Sequence, residues 1–485
     1  MPVERNNDSP GDQVMVRENS AQKLASREAL GFESAKQSLA ARVRETLSSP
    51  VIRNRHATPP VVRIEAPVEK IDVLSWLDSQ FDAVKTYWSD RENGTEMAGV
   101  GAADVVFGTG ALDYHLLLER MRKMLSPDQE RLRYYGGARF DTTPRVADEY
   151  LWGEFGSHRF VLPRLELWCE GDRSFLACNV VADRPAHEGP LIQRMLDDMV
   201  FPVAATSREL PAVVTRSDCP DRTDWSAMMD SALSLIRGGD LAKLVLARKS
   251  FFEFTDTFSA ASLVQRLSPG AAGCFRFCFQ THNGAAFLGA TPELLYQRYG
   301  REVHSEAVAG TYPRGEVPET DSVLEREFLN SEKDRLEHVY VQRAIEINLR
   351  RLCDGQVHQS PRTILKTSTI QHLNTRYHGT LRSGVNDADI LSALHPTPAV
   401  GGWPTDRAIA RIREIEPFDR GWYAGPVGCI GHQAAVFAVA IRSGLMLDNT
   451  LHLFAGAGIV DGSTAEDEWR EIDSKLDPFT RLFSA

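Results

Sequence analysis

The run Lys243-Leu244-Val245-Leu246-Ala247-Arg248 constrains this chain more than any other. Its apolar, partly β-branched composition reads as a buried strand, and a strand interior does not carry a lysine without cause. In extended backbone, Lys243, Val245 and Ala247 share one face, and Leu244, Leu246 and Arg248 the other. Lys243 therefore points the same way as small apolar side chains. Desolvation there favours the neutral amine, and a neutral amine is a general base. A lysine at a strand end can also run its stem to water, so this segment alone leaves both readings open.

The chain has 485 residues, long enough for two or three domains or one large body. Residues 1–60 are rich in Ser, Asn, Arg, Glu and Ala and end in Thr58-Pro59-Pro60. Residues 20–48 have helical potential but few large apolar side chains, so 1–60 is expected to be a weakly ordered tail. A first structured region is expected over 61–215. It holds a strand at Val61-Val62-Arg63-Ile64 and a helix carrying Leu112, Leu116, Leu117, Met121 and Leu125. Strands interrupted by glycine or proline are expected at 134–140 and 159–164. A loose acidic stretch near 207–222 marks a boundary, and 216–485 forms the second region. There Phe275, Phe277 and Phe279 alternate with polar or smaller residues, further strands fall at 436–441 and 451–454, and one long helix is expected from Val323 to about Leu352.

A net charge of −11 disfavours nucleic acid and anionic membrane as partners. The seven cysteines are odd in number and form no C-x-x-C, which points to a reducing, cytoplasmic setting without disulfides or a zinc site. No apolar run is long enough to cross a bilayer, and the N-terminus does not read as a secretory signal.

Two acidic stripes stand out. Asp334 and Glu337 are three apart on a predicted helix, as are Glu468 and Glu471. In the second helix Trp469, Ile472 and Leu476 make an apolar stripe beside Glu468, Glu471 and Lys475. Two helices that each offer an acid pair suit a hard cation such as Mg2+, which takes one or two carboxylates and keeps several waters. Solvated helix faces have the same spacing, so either stripe alone is ambiguous. Phe454-Ala455-Gly456-Ala457-Gly458 and Ala309-Gly310-Thr311 permit close backbone approach to a ligand. No Walker or Rossmann fingerprint and no G-x-S-x-G occurs. His338, His372 and His395 fit no zinc spacing and are expected to be structural.

Taken together, KLVLAR (243–248), GATPELL (289–295), AVAGTYPRG (307–315), KDRLEH (333–338), LHPTPAVGG (394–402), FDRGWYAGPVG (418–428) and AGAGIVDGSTAEDEWREIDSKL (455–476) resemble the chorismate-utilising enzymes in their family order. That family includes anthranilate synthase component I, aminodeoxychorismate synthase, isochorismate synthase and salicylate synthase. Upstream, YWSDREN (87–93), YYGGARF (134–140) and RFVLPRLEL (159–167) resemble isochorismate synthases.

The resemblance implies an α+β chorismate-binding fold: an antiparallel β-sandwich-like core with outer helices, the two regions interleaved into one body. It implies Lys243 as the base that deprotonates water and Glu293 as the acid that protonates the departing C4 hydroxyl. It implies Glu337 and Glu471 as Mg2+ ligands, with Asp334 and Glu468 holding metal-bound waters; the family usually has Glu at 334. Gly310, Thr311, Tyr423, Arg442, Gly456, Gly458 and Lys475 match substrate contacts, Arg442 facing a carboxylate. Tyr312 stands where many relatives have Arg, and no role is assigned to it.

Ammonia-using relatives carry Gln at the Lys243 position, and aminodeoxychorismate synthases carry a nucleophilic Lys where this chain has Ala309. Water is therefore the expected nucleophile, and the resemblance is closest to isochorismate synthase. Salicylate synthase and a non-catalytic chorismate-binding relative are the alternatives. No glutaminase subunit is expected, the chain acting as monomer or homodimer, with its product feeding menaquinone or siderophore synthesis.

Overall fold

In the computed structural model, the residues described are 29–49, 60–92, 94–143, 149–182, 185–202 and 209–483. Their strands join into one hydrogen-bonded network, and every strand ladder in it is antiparallel. Helices lie outside it, which is the mixed helix and antiparallel-sheet architecture expected. Among the described residues no helix is long and apolar enough to cross a membrane. All seven cysteines are free thiols.

The two expected regions are not separable. Lys85–Ser89 pairs with Thr95–Gly108 on one side and with Phe275–Gln280 on the other. Arg133–Ala138 pairs with Pro426–Gly431. The loose stretch expected near 207–222 contains the strand Val213–Cys219, which pairs with Lys243–Phe254. Strands drawn from both regions thus complete one another's ladders, and the apolar face of each buries against the same core.

Four further expectations are corrected. The tail contains a docked helix, Phe32–Ser48. Its Phe32, Ala35, Leu39 and Val43 recur at helical spacing and are buried, and it packs on strands Val61–Val68 and Arg173–Val181. Few apolar side chains suffice because they share one face; residues 1–28 and 50–59 lie outside those described. Leu116, expected on a buried face, is 66% exposed; the helix Tyr114–Arg122 buries Leu117 and Met121 as expected, with Leu118 rather than Leu116 beside them. The segments at 134–140 and 159–164 lie mainly in uninterrupted strands, Arg133–Ala138 and His158–Glu170. Pro163 is accommodated because the neighbouring strand bulges opposite it, between Ala102 and Asp104.

The fourth correction shapes the site. The single helix expected over 323–352 is two, Pro318–Asn330 and Glu332–Leu352, separated by Ser331 in extended backbone (ψ 117°). The Ser331 hydroxyl accepts from the Asp334 amide, capping the second helix. Asp334 is thereby in the first turn and Glu337 in the next, on a helix that packs on strands Glu302–Pro313 and Ile370–Leu381. The helix Ala465–Thr480 follows and packs on the strand Thr450–Ile459, burying Trp469, Ile472 and Leu476.

Candidate active site

The strand Lys243–Phe254 pairs with Thr450–Ile459, which sets Val245 opposite Gly458 and Ala247 opposite Gly456. Buried polar groups hold this segment. Glu416 accepts from the Ala247 amide at 2.8 Å. Arg420 donates to the carbonyls of Val245 (2.9 Å) and Val400 (2.7 Å). Arg248 stacks 4.0 Å over the Trp469 ring and bonds Asp473, tying the strand to the helix that carries Glu471 and Lys475.

Glu293, Gly310, Thr311, Glu337, Tyr423, Arg442, Gly456, Gly458, Glu471 and Lys475 line one cleft. Lys243 meets its edge: the side chain is fully buried and Nζ lies 2.8 Å from Glu337 Oε1. This is an ion pair without hydrogen-bond geometry, so the ammonium has no hydrogen-bond partner among the described residues. A Cβ at Gly458 would fall 2.6 Å from Glu337 Oε1 and 3.0 Å from Lys243 Cε, so a larger residue would displace both side chains. Gly310 is at φ +72°, and its Cβ would meet Asp334 Oδ1 at 3.0 Å.

Glu293 is 3% exposed, and its Oε1 accepts from the Thr397 hydroxyl at 3.3 Å. Burial raises its pKa to about 7, against the smaller downward pull of Lys243 and the Thr397 hydrogen bond. Burial also acts to raise Glu337, but the Lys243 charge and contact, aided by Lys475 and Lys333, bring it below the usual carboxylate range. One cleft therefore holds a carboxyl that stays protonated near neutrality and a carboxylate that stays ionised.

Arg442 is buried at φ +49°, and burial lowers its pKa. Its Nη2 donates to His372 Nε2 at 2.5 Å, while His372 Nδ1 donates to the Gly310 carbonyl at 2.7 Å. Burial, followed by repulsion from Arg442, pushes His372 down to about 3 and keeps the imidazole neutral. No carboxylate among the described residues pairs with Arg442, so its charge is available to an anionic ligand. His372 lines the cleft and orients Arg442, whereas its spacing pointed to a structural histidine. Nothing local distinguishes it; its position comes from strand Ile370–Leu381 pairing beside Ala309. His338 and His395 do hydrogen-bond backbone carbonyls, of Ala307 and Phe140. Ala399, Val400 and Val308 also line the cleft and were not singled out from sequence.

The acidic helices meet at one end of this cleft. Lys475 Nζ bridges Glu471 Oε1 and the Gly456 carbonyl, both at 2.7 Å, and Lys333 pairs with Glu468 at 2.7 Å. Asp334 is raised to about 6, by burial first and then by the charges of Glu337 and Glu471, against its hydrogen bond from Ser331. Glu468 is raised by burial and by Glu471. Glu471 thus acts to raise both Asp334 on the other helix and Glu468 on its own, which brings the two acidic helices into electrostatic contact. Among the described residues no three His, Cys, Asp or Glu side chains are preset as a metal cage. Oxygen donors without a closed cage fit a hard cation that keeps its waters and shares its remaining positions with a ligand.

A family model described as chorismate binding enzyme matches residues 45–484. Isochorismate synthase 2 of Arabidopsis thaliana (chloroplastic) is 34% identical over 456 residues, 87% of this chain and 80% of that one. Isochorismate synthase MenF of Bacillus subtilis is 32% identical over 435 residues, 85% and 91% of the two chains. The solved structure of MenF, the menaquinone-specific isochorismate synthase of Escherichia coli, superposes with a TM-score of 0.81 at 28% identity, covering 93% of this chain and 100% of that one.

Proposed function

The chain belongs to the chorismate-binding enzyme family, and from that premise we infer that it is an isochorismate synthase, converting chorismate to isochorismate. The observation that carries the reading is one cleft that holds Glu293, protonated near neutrality, and Arg442, which has no carboxylate partner among the described residues, with the fully buried Lys243 touching its Glu337.

Chorismate carries two carboxylates. Arg442 pairs with one of them, its direction fixed by His372. Lys243 takes a proton from water as the oxygen adds to C2. The ring double bonds shift, and Glu293 gives its proton to the C4 hydroxyl, which leaves as water. One water enters and one leaves, so the reaction is an isomerisation. Burial keeps Glu293 protonated, the form an acid needs. Ala309 leaves no amine beside Gly310 to compete as nucleophile. Gly310, Thr311, Tyr423, Gly456, Gly458 and Lys475 complete the substrate contacts.

Mg2+ fits the acidic end: Glu337 and Glu471 would ligate it, Asp334 and Glu468 would steady its waters, and it would neutralise the second carboxylate. Glu337 also lies 2.8 Å from Lys243 Nζ, so the base and the proposed metal end share one carboxylate.

We expect a cytoplasmic enzyme that works without a glutaminase subunit and supplies menaquinone or siderophore synthesis. The test is product analysis of purified protein with chorismate, Mg2+ and ammonium. Isochorismate as the main product supports the reading. Salicylate with pyruvate would move it to salicylate synthase, and anthranilate would contradict the role given to Lys243.

A further inference from the structure

A larger cleft, of about 620 Å3, lies on the other side of segment 394–404 from the one above. It runs between Phe140, the outer part of helix Glu332–Leu352 with Arg351, and the start of helix Thr405–Ile415 with Ile409.

The dividing segment touches both ends of the proposed chemistry. Thr397 is among the residues lining the large cleft, and its hydroxyl donates to Glu293 at 3.3 Å. Ala399 and Val400 line the smaller cleft. Trp403 lines the large cleft, and its backbone sits opposite Lys243 in a short ladder. Its carbonyl accepts from the Ala242 amide at 2.8 Å, and that of Gly401 from the Val245 amide at 2.9 Å. A displacement of this one segment therefore reaches the acid through a side chain and the base through the backbone.

The lining defines what the cleft would hold. His395 is only 9% exposed, and its Nε2 donates to the Phe140 carbonyl at 3.1 Å. Its Nδ1 is then an acceptor with no partner among the described residues, and it calls for a hydroxyl or N–H donor. Arg351 has no carboxylate partner among those residues, whereas Arg413 is already bound to Asp141. Helix Thr405–Ile415 starts at Pro404 without a side-chain cap, which leaves its first amides open to an anion, although Asp406 in that turn opposes one. Trp403, Pro398 and Ile409 supply flat apolar wall.

We propose that this cleft is an effector site for a small planar aromatic acid bearing a hydroxyl, and that its occupancy changes turnover through Thr397 and Trp403. The regulatory half rests on the roles read for Glu293 and Lys243; the binding half does not.

The probe is 6-hydroxy-2-naphthoate, titrated calorimetrically into the full-length chain and then into the chorismate assay. Saturable binding is expected, with turnover at saturating chorismate lowered roughly fivefold or more. Arg351→Glu and Ile409→Trp should each remove binding and inhibition and leave turnover without the probe unchanged. Absence of binding, binding unaffected by both substitutions, or inhibition relieved by chorismate would overturn the site. Binding that leaves turnover intact would overturn the coupling. Turnover without the probe reads the proposed function separately, so the two failures are distinguishable.

Discussion

Replacing Glu293 by Gln should sharply reduce turnover and yet stabilise the protein at alkaline pH. Burial raises this carboxyl from its ordinary 4.5 to about 7. Because the folded-state value lies above the unfolded one, the folded protein holds a proton that the unfolded chain releases first. The stability this confers is complete below about 4.5 and is lost as pH rises through about 7. Above pH 8 both states are ionised, and the fold carries a buried charge. At roughly 1.4 kcal/mol per tenfold, the cost is about 3 kcal/mol. Gln is nearly isosteric, has no charge to bury, and retains an oxygen for the Thr397 hydroxyl. A chain of 485 residues has an unfolding entropy of about 1 kcal/mol/K, so that cost corresponds to a rise in Tm of about 3 °C. The assay is Tm of wild type and Glu293→Gln, without substrate or Mg2+, from pH 5 to 9. The two should be closest near pH 5, separate as pH rises from about 5 to 7, and keep a nearly constant gap above pH 8, and turnover of the variant should fall by about 10²–10⁴. A difference that is the same at both ends of the range would refute the argument that Glu293 is held protonated by burial.

Thr397→Val removes a hydrogen bond that lowers Glu293, so the alkaline limb of the kcat/KM profile should move to higher pH; movement to lower pH would contradict the contact. Arg442→Gln should raise KM for chorismate roughly ten- to hundredfold, the scale of a lost charge-assisted hydrogen bond, with a smaller change in kcat. Asp334→Ala should weaken Mg2+ binding, measured calorimetrically, by about 10–100-fold. Glu337→Gln and Glu471→Gln should weaken it further, and equal effects at all three positions would remove the distinction between ligand and water-holding acid.

The parts of the site legible in the sequence are those whose chemistry is encoded at short range. A lysine in an apolar strand, acids three apart on two helices, and glycines where a Cβ would strike Glu337 or Asp334 each have a local signature. His372 has none. Its place follows from strand Ile370–Leu381 pairing with Glu302–Pro313, which sets Leu373 opposite Ala309. The helix break at Ser331 did have a local signal, a serine three residues before Asp334 that caps the second helix, but it lies inside a run whose overall pattern reads as one helix. The α+β class came through the family motifs. The interleaving of Lys85–Ser89 with Phe275–Gln280 came only through the resemblance, since no local pattern encodes a pairing across so many residues. Docking of Phe32–Ser48 was missed because a narrow apolar stripe buries well when its partner surface is already built.

The most direct measurement of the central claim is oxygen-18 tracing. Chorismate converted by the Mg2+-loaded protein in oxygen-18 water should give isochorismate with one labelled oxygen, at the C2 hydroxyl, and Lys243→Ala should give almost none under the same conditions. Unlabelled isochorismate, or labelled product formed at an undiminished rate by Lys243→Ala, would contradict the assignment of this lysine as the base that draws a proton from water.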